Sequence, residues 1–216
     1  MRDLRDIIFD ITNIEYKDIG IIFEQYDIKN QILKELERVR ILFLKKALSK
    51  QSEKLLINVS GIPGAGKTTY CKKILDQIPY LNYVSFDAIM ESILYYQVDM
   101  KNDPQYAFTK WEIPARILGY EFLIELISKG LPILFEHSSA NFQHVELFKY
   151  IKEKLGYKIE MHFVPIALKD ALIRVKKRER LTKRYTPEEL VVDRKLFLQQ
   201  NLSYYKNIVD VFKEAR

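Results

Sequence analysis

Gly61-Ile62-Pro63-Gly64-Ala65-Gly66-Lys67-Thr68 is a full match to G-x-x-x-x-G-K-[ST], and its flanks are of the kind that motif requires. Before it, Leu55-Leu56-Ile57-Asn58-Val59-Ser60 is an apolar run of strand length; after it, Thr69-Tyr70-Cys71-Lys72-Lys73-Ile74-Leu75 reads as a helix. Tyr70, Cys71, Ile74, Leu75 and Ile78 recur at i, i+1, i+4, i+5 and i+8, so one stripe of that helix can lie on a sheet. Successive N–H groups of a glycine-rich turn and the positive end of a helix make a concave site for anionic oxygens. The order strand, loop, helix therefore predicts a nucleoside triphosphate site. Gly61, Pro63, Gly64, Ala65, Gly66 and Thr69 would surround the phosphates, Lys67 would reach the terminal ones, and the Thr68 hydroxyl would hold Mg²⁺.

A chain of 216 residues with 48% hydrophobic content suits one substantial α/β domain with an appendage. No run approaches the roughly eighteen apolar residues of a membrane span, and Met1-Arg2-Asp3-Leu4-Arg5-Asp6 mixes charges where a secretory signal would be basic and then apolar. The expectation is a cytoplasmic protein without a membrane partner. Cys71 is the single cysteine, which excludes an intramolecular disulfide or a cysteine-based zinc site. The net charge of +6 suits a protein that handles phosphates, without separating a small nucleotide from a polynucleotide.

Residues 1–52 read as a helical N-terminal segment packed on the core, and 53–216 as the domain carrying the glycine-rich loop. Ile32, Leu36, Val39, Phe43 and Ala47 follow a helical period, while Ile7, Ile8, Phe9, Ile11, Ile14, Ile19, Ile21 and Ile22 are too apolar for a solvated tail. Further on, Leu81-Asn82-Tyr83-Val84-Ser85-Phe86 is a short strand ending at Asp87. Ligands of open α/β sheets sit beyond the carboxyl ends of strands, which would aim Asp87 at the phosphates; capping the next helix is the alternative. Gln97 to Ile113 has no clean period and reads as a flap or substrate-binding segment, or else as a plain connection, with Pro114 opening a helix that Gly130 closes.

Leu131-Pro132-Ile133-Leu134-Phe135-Glu136 is an apolar strand ending in a carboxylate, followed by the small polar run His137-Ser138-Ser139-Ala140-Asn141, so Glu136 and Ser138 are candidate substrate contacts. Tyr157, Ile159, Met161 and Phe163 alternate with polar residues as a strand. His162 falls on its wetter face and His144 on a helix surface, and neither is expected to carry chemistry. A basic stretch with Arg174, Arg178 and Arg184 precedes Thr186-Pro187-Glu188-Glu189, a capping box that starts a new helix. Helix, basic turn and helix suggest a lid around 174–187 over the phosphates.

From about residue 55 to 210 the chain resembles the zeta-toxin-like P-loop kinases, which are related in plan to polynucleotide 5′-kinases. The resemblance rests on the glycine-rich loop, the strand-end Asp87, the strand-end Glu136, and Ala171-Leu172-Ile173-Arg174-Val175-Lys176-Lys177-Arg178 with Pro187-Glu188-Glu189 beyond it. It implies a P-loop NTPase-type α/β fold: a parallel sheet of order 2-3-1-4 flanked by helices, with a helical N-terminal segment. A fifth strand is expected after the last helix, unless the chain is shortened; Val209-Asp210-Val211-Phe212 is its candidate. It also implies a kinase using ATP and Mg²⁺, with an antitoxin or other protein as a candidate partner. Asp87 would be the base toward a substrate hydroxyl, Glu136 would bind the acceptor, and Arg178, assisted by Arg174 or Arg184, would stabilise the transferred phosphoryl group.

Two positions depart from the family pattern. Asp-x-x-Arg is here Asp87-Ala88-Ile89-Met90, and Glu-Gly-Thr-x-Arg is here Glu136-His137-Ser138-Ser139-Ala140. Zeta toxins phosphorylate UDP-N-acetylglucosamine; without those two arginines that acceptor is expected to react poorly unless Lys101, Lys110 or Arg116 substitutes. The functional expectation is transfer of a phosphoryl group to a small metabolite or nucleotide sugar. A polynucleotide 5′-hydroxyl kinase is second, with nucleic acid as partner, and a non-catalytic nucleotide switch third. Against the switch, no Asn-Lys-x-Asp motif occurs.

Overall fold

The structure, a computed structural model, describes residues 2–13, 21, 24, 25, 30–46 and 53–215. The expectations placed on Ile14, Ile19, Ile22 and Ala47 lie outside those residues.

Strands β1 (Leu55–Ser60), β2 (Asn82–Ser85), β3 (Ile133–Glu136), β4 (Lys158–Phe163) and β5 (Val211–Glu214) form one parallel sheet in the order β2-β3-β1-β4-β5. The P-loop strand is therefore central. β5 starts two residues later than its candidate segment, and Asp210 ties it to β4 by accepting from the Ile159 N–H at 2.8 Å.

Between the strands run α3 (Lys67–Gln77), α4 (Phe86–Glu91), α5 (Leu94–Asn102), α6 (Pro104–Ser128), α7 (Gln143–Leu155), α8 (Leu168–Thr182) and α9 (Glu188–Ile208), with α1 (Leu4–Thr12) and α2 (Asn30–Lys46) before the sheet. Side chains alternate across a strand, so each face of the sheet has its own core. Leu55, Ile57, Val59 and Leu134 meet Cys71 and Ile74 of α3. On the opposite face Leu56, Phe135, Ile159 and Met161 join Tyr120, Leu123, Phe148 and Leu198, and α1 adds Ile7, Ile8 and Ile11. A satellite core joins Ile32, Leu36 and Val39 of α2 to Ile89, Met90, Tyr96 and Trp111. Glu35 strengthens that junction: it accepts from Arg38 Nε and Nη2 at 2.6 Å each and from the Leu94 N–H at 3.0 Å. Among the described residues no helix is long and apolar enough to cross a membrane.

Several local expectations are corrected. The stretch from Gln97 to Ile113 is not a plain connection but helix, in α5 and the start of α6, and its Phe108 and Glu112 line the cavity beside the glycine-rich loop. Asp103 caps α6, accepting from the N–H groups of Gln105 at 3.1 Å and Tyr106 at 3.0 Å, and Pro104, not Pro114, takes the first-turn position. α6 hid its period because it buries Trp111 in the satellite core and Tyr120 in the main core, leaving no single apolar stripe. His144 is not on the surface: it is 2% exposed, with Nε2 2.8 Å from Tyr120 Oη, and burial drives its pKa down to about 3. His162 is buried too, because α3 covers the supposedly wet face of β4 and Tyr70 Oη lies 3.3 Å from His162 Nδ1.

Candidate active site

The glycine-rich loop holds its shape for steric reasons visible at Gly64. Its φ is +83°, and a Cβ there would lie 2.6 Å from the Ala171 carbonyl oxygen, so only glycine lets the loop pass beneath α8. Gly66 at the N-cap, with φ +98°, offers no side chain to the first turn of α3, which leaves those N–H groups for an anion. Pro63, Gly64, Gly66, Lys67, Thr68 and Thr69 line a cavity of about 310 Å³. Gly61 and Ala65 lie buried behind it; Ala65 closes the turn by donating its N–H to Ile62 O at 3.1 Å.

Lys67 Nζ donates to Ile62 O at 3.2 Å. Burial lowers its pKa, with Glu136 and Asp87 pulling the other way. The Thr68 hydroxyl donates to Glu136 Oε1 at 2.7 Å, and Tyr83 Oη makes a short hydrogen bond to Glu136 Oε2. Glu136 thus faces the P-loop from the end of the neighbouring strand, and with Thr68 it forms the hydroxyl and carboxylate pair that suits a hard cation. Among the described residues no group of three or more His, Cys, Asp or Glu is placed to hold a metal. Mg²⁺ in phosphoryl-transfer sites takes only one or two protein ligands, the rest being water and phosphate oxygens, so the Thr68–Glu136 pair fits it.

Asp87 sits in the first turn of α4 and is not its cap; Ser85 is, accepting from the Ala88 N–H at 3.4 Å. Arg184 bridges two carboxylates, pairing closely through Nη2 with Asp87 and through Nη1 with Glu91 at 3.1 Å. The Asp87 side chain is 53% exposed, but it opens into the cavity with protein around it rather than to bulk solvent. Burial alone would raise its pKa; Arg184, Lys67 and Arg178 outweigh that and hold it below the usual carboxylate range.

The arginines of the expected lid line the same cavity. Arg174 and Arg178 project from α8, and a Cβ on Gly66 would come within 3.9 Å of Arg174 Nη1. The expected capping box at Thr186 is absent. Pro187 is the N-cap of α9, and the Thr186 hydroxyl instead accepts from Arg178 Nη2 at 2.7 Å. Arg178 Nε is buried without a hydrogen-bond partner, and burial followed by the nearby Arg184 lowers its pKa.

A second cavity of about 130 Å³ adjoins the first, sharing Lys67, Asp87 and Glu136 with it. Ser138 lines it, as do Met90, Arg116, His137 and Arg194. Of the three cations proposed as substitutes, only Arg116 reaches it. Lys110 is held by Asp99 at 2.8 Å, and Lys101 lines neither cavity. Arg194 was not legible in the sequence, where it is one charge on a long mixed helix; no local motif marks it. Tyr83 and Glu91 were missed likewise.

A family model described as Zeta toxin matches residues 40–213. No curated protein sequence matches the chain. A structure from the PezAT chromosomal toxin-antitoxin system of Streptococcus pneumoniae superposes with a TM-score of 0.69 at 14% identity, over 84% of this chain and 78% of that one. The AvrRxo1-ORF1:-ORF2 complex gives 0.66 at 18% identity, over 86% and 63%, and the same complex with ATP gives 0.62 at 15% identity, over 96% and 64%. This chain therefore spans less than two thirds of the matched AvrRxo1 chains. At these identities the likeness shows a shared fold.

Proposed function

The chain belongs to the zeta toxin family, and from that premise we propose that it is an ATP-dependent phosphotransferase that moves the γ-phosphoryl group to a hydroxyl of a small metabolite or nucleotide sugar. One observation carries the reading. The P-loop Lys67 and Thr68, Asp87 two residues past the end of β2, Glu136 at the end of β3, and the arginines Arg174, Arg178 and Arg184 line a single cavity.

Phosphoryl transfer asks a protein mainly for positioning and for charge to meet the transferred group. The proposed donor position puts the phosphates on the α3 N-terminus and Lys67, with Arg174 and Arg178 above them. Thr68 and Glu136 would hold Mg²⁺, which supplies charge neutralisation at the phosphates. In the reaction the acceptor hydroxyl gives its proton to Asp87, its oxygen bonds to the γ-phosphorus, and the bond from that phosphorus to the β-phosphate bridging oxygen breaks, releasing ADP. Arg184 keeps Asp87 ionised while the site waits. Phosphate oxygens drawing on Arg184 would return basicity to the carboxylate at the moment it is needed. Glu136, shared by both cavities, would also touch the acceptor.

The reaction is placed in the cytoplasm, where ATP and Mg²⁺ are plentiful. A protein antitoxin is the proposed partner, by analogy with the toxin-antitoxin system named for the pneumococcal structure.

Lys67→Ala tests the reading with labelled ATP and a panel of hydroxyl acceptors that includes UDP-N-acetylglucosamine. Turnover should vanish while circular dichroism and thermal unfolding stay close to wild type. Near-normal turnover in that variant would refute the P-loop chemistry.

A further inference from the structure

If the donor phosphates lie on the P-loop, the acceptor side falls to the smaller cavity, whose arginines are the expected Arg116 and the unexpected Arg194. The two positions at which the family pattern carries arginines hold Met90, which is 2% exposed, and Ala140, which is fully buried. Arginines reach this cavity from elsewhere, Arg116 from α6 and Arg194 from α9. Arg194 Nη1 donates to Asn141 Oδ1 at 2.7 Å, so its guanidinium rests on the very loop whose residue 140 lacks the charge.

The two guanidiniums differ in their partners. Arg116 forms a close ion pair with Glu112, four residues earlier on the same helix. Arg194 is in no ion pair among the described residues, and the partner of its Nη1 is a neutral amide. Burial and then the like charge of Arg116 lower its pKa, while Glu112, which lines the same cavity, Tyr120 and Asp193 pull the other way. A half-buried guanidinium beside another, with no carboxylate in ion-pair contact, gains when an anion completes the arrangement. Guanidinium is also the group whose planar fork matches a carboxylate or phosphate.

We propose that Arg194 and Arg116 form an anion clamp at the acceptor end of the cleft, so that the hydroxyl substrate of this chain carries an acidic group, phosphate or carboxylate. The clamp rests on the kinase reading of the cleft and deepens it. Positive charge absent from residues 90 and 140 is resupplied by α6 and α9, and with a changed origin comes a changed geometry. Acceptors are selected by whether their anion reaches Arg194 while their hydroxyl reaches Asp87. Neutral acceptors of the same shape are poor substrates.

The test is an anion titration. Protein saturated with AMP-PNP and Mg²⁺, so that the P-loop is filled, is titrated calorimetrically with inorganic phosphate and separately with acetate. The stronger binder identifies the acidic group. Arg194→Gln and Arg116→Gln should each weaken that binding roughly 10- to 100-fold, Arg194→Lys should weaken it less, and AMP-PNP affinity should hold in all three. Should Arg194→Gln fail to fold, Arg116→Gln on the other helix makes the same comparison. The clamp is overturned if neither anion binds the loaded wild type, or if the glutamine variants bind as tightly as wild type. If AMP-PNP itself does not bind, the kinase reading fails. The titration on nucleotide-free protein then judges the clamp alone: loss of binding in Arg194→Gln supports it, and unchanged binding removes it.

Discussion

Gly119→Ala should damage the site from a distance. Gly119 is buried inside α6, where alanine is normally better than glycine by about 1 kcal/mol. Here a Cβ would lie 2.1 Å from Phe86 Cδ1 and 2.3 Å from Cε1. Carbon atoms rest about 3.5–4.0 Å apart, so the ring would have to retreat by roughly 1.5 Å. It has little room: Phe86 packs against Tyr120, Phe135 and His137 at centroid distances of 4.8, 5.6 and 5.1 Å. Overpacking of this kind costs about 1–3 kcal/mol, and the upper part of that range applies to a collision with an enclosed ring. After the helix-propensity gain, a net loss of about 1–2 kcal/mol remains, a fall in Tm of about 2–8 °C for a chain this long. The ring belongs to the residue before Asp87, so its retreat displaces the proposed base, and a misplacement of about 1 Å can lower kcat roughly 10²-fold. Differential scanning calorimetry and steady-state kinetics read the two effects, and Phe86→Leu in the Gly119→Ala background should restore part of both. A Gly119→Ala protein as stable and as active as wild type would refute the reasoning.

Asp87→Asn removes the proposed base at constant size and should cut transfer roughly 10²- to 10⁴-fold with nucleotide affinity little changed; equal rates would reduce Asp87 to an anchor for Arg184. Arg178→Ala should lower kcat far more than it raises the Kd for ATP, since its charge is needed most in the transition state, and a pure affinity defect in equilibrium binding would contradict that role. Stability should fall as pH drops from about 6.5 toward 3. His144 has a folded pKa of about 3, so between those values the unfolded chain holds a proton that the native state rejects. The contribution is fully present above the unfolded pKa and is lost at up to about 1.4 kcal/mol per pH unit below it. Denaturant titrations across that range should show His144→Gln with a shallower acid slope than wild type, and an unchanged slope would mean His144 charges in place.

Parts of this protein are legible without a structure because their physics is local. A phosphate cradle is built from consecutive backbone N–H groups, so residues 61–68 announce it wherever the chain goes. The strand ends at Asp87 and Glu136 are nearly as plain, since a parallel sheet gathers the carboxyl ends of its strands on one edge beside the P-loop. The five-stranded order, with β5 outside β4, agrees with the architecture that the family resemblance implies.

What tertiary structure decided lies in contacts between distant residues and in the burial they create. His144 and His162 look solvated by spacing, yet α6 and α3 cover them. Thr186 carries a capping signal, but Arg178 takes its hydroxyl because the turn after α8 brings residue 186 back beside that helix. Arg184 meets Glu91 across 93 positions, and Arg194 meets Asn141 across 53. A charge on a mixed helix face has no pattern that names its partner. Sequence periodicity tells which side of a helix is apolar; which loop its arginine reaches depends on how the helices pack around the sheet.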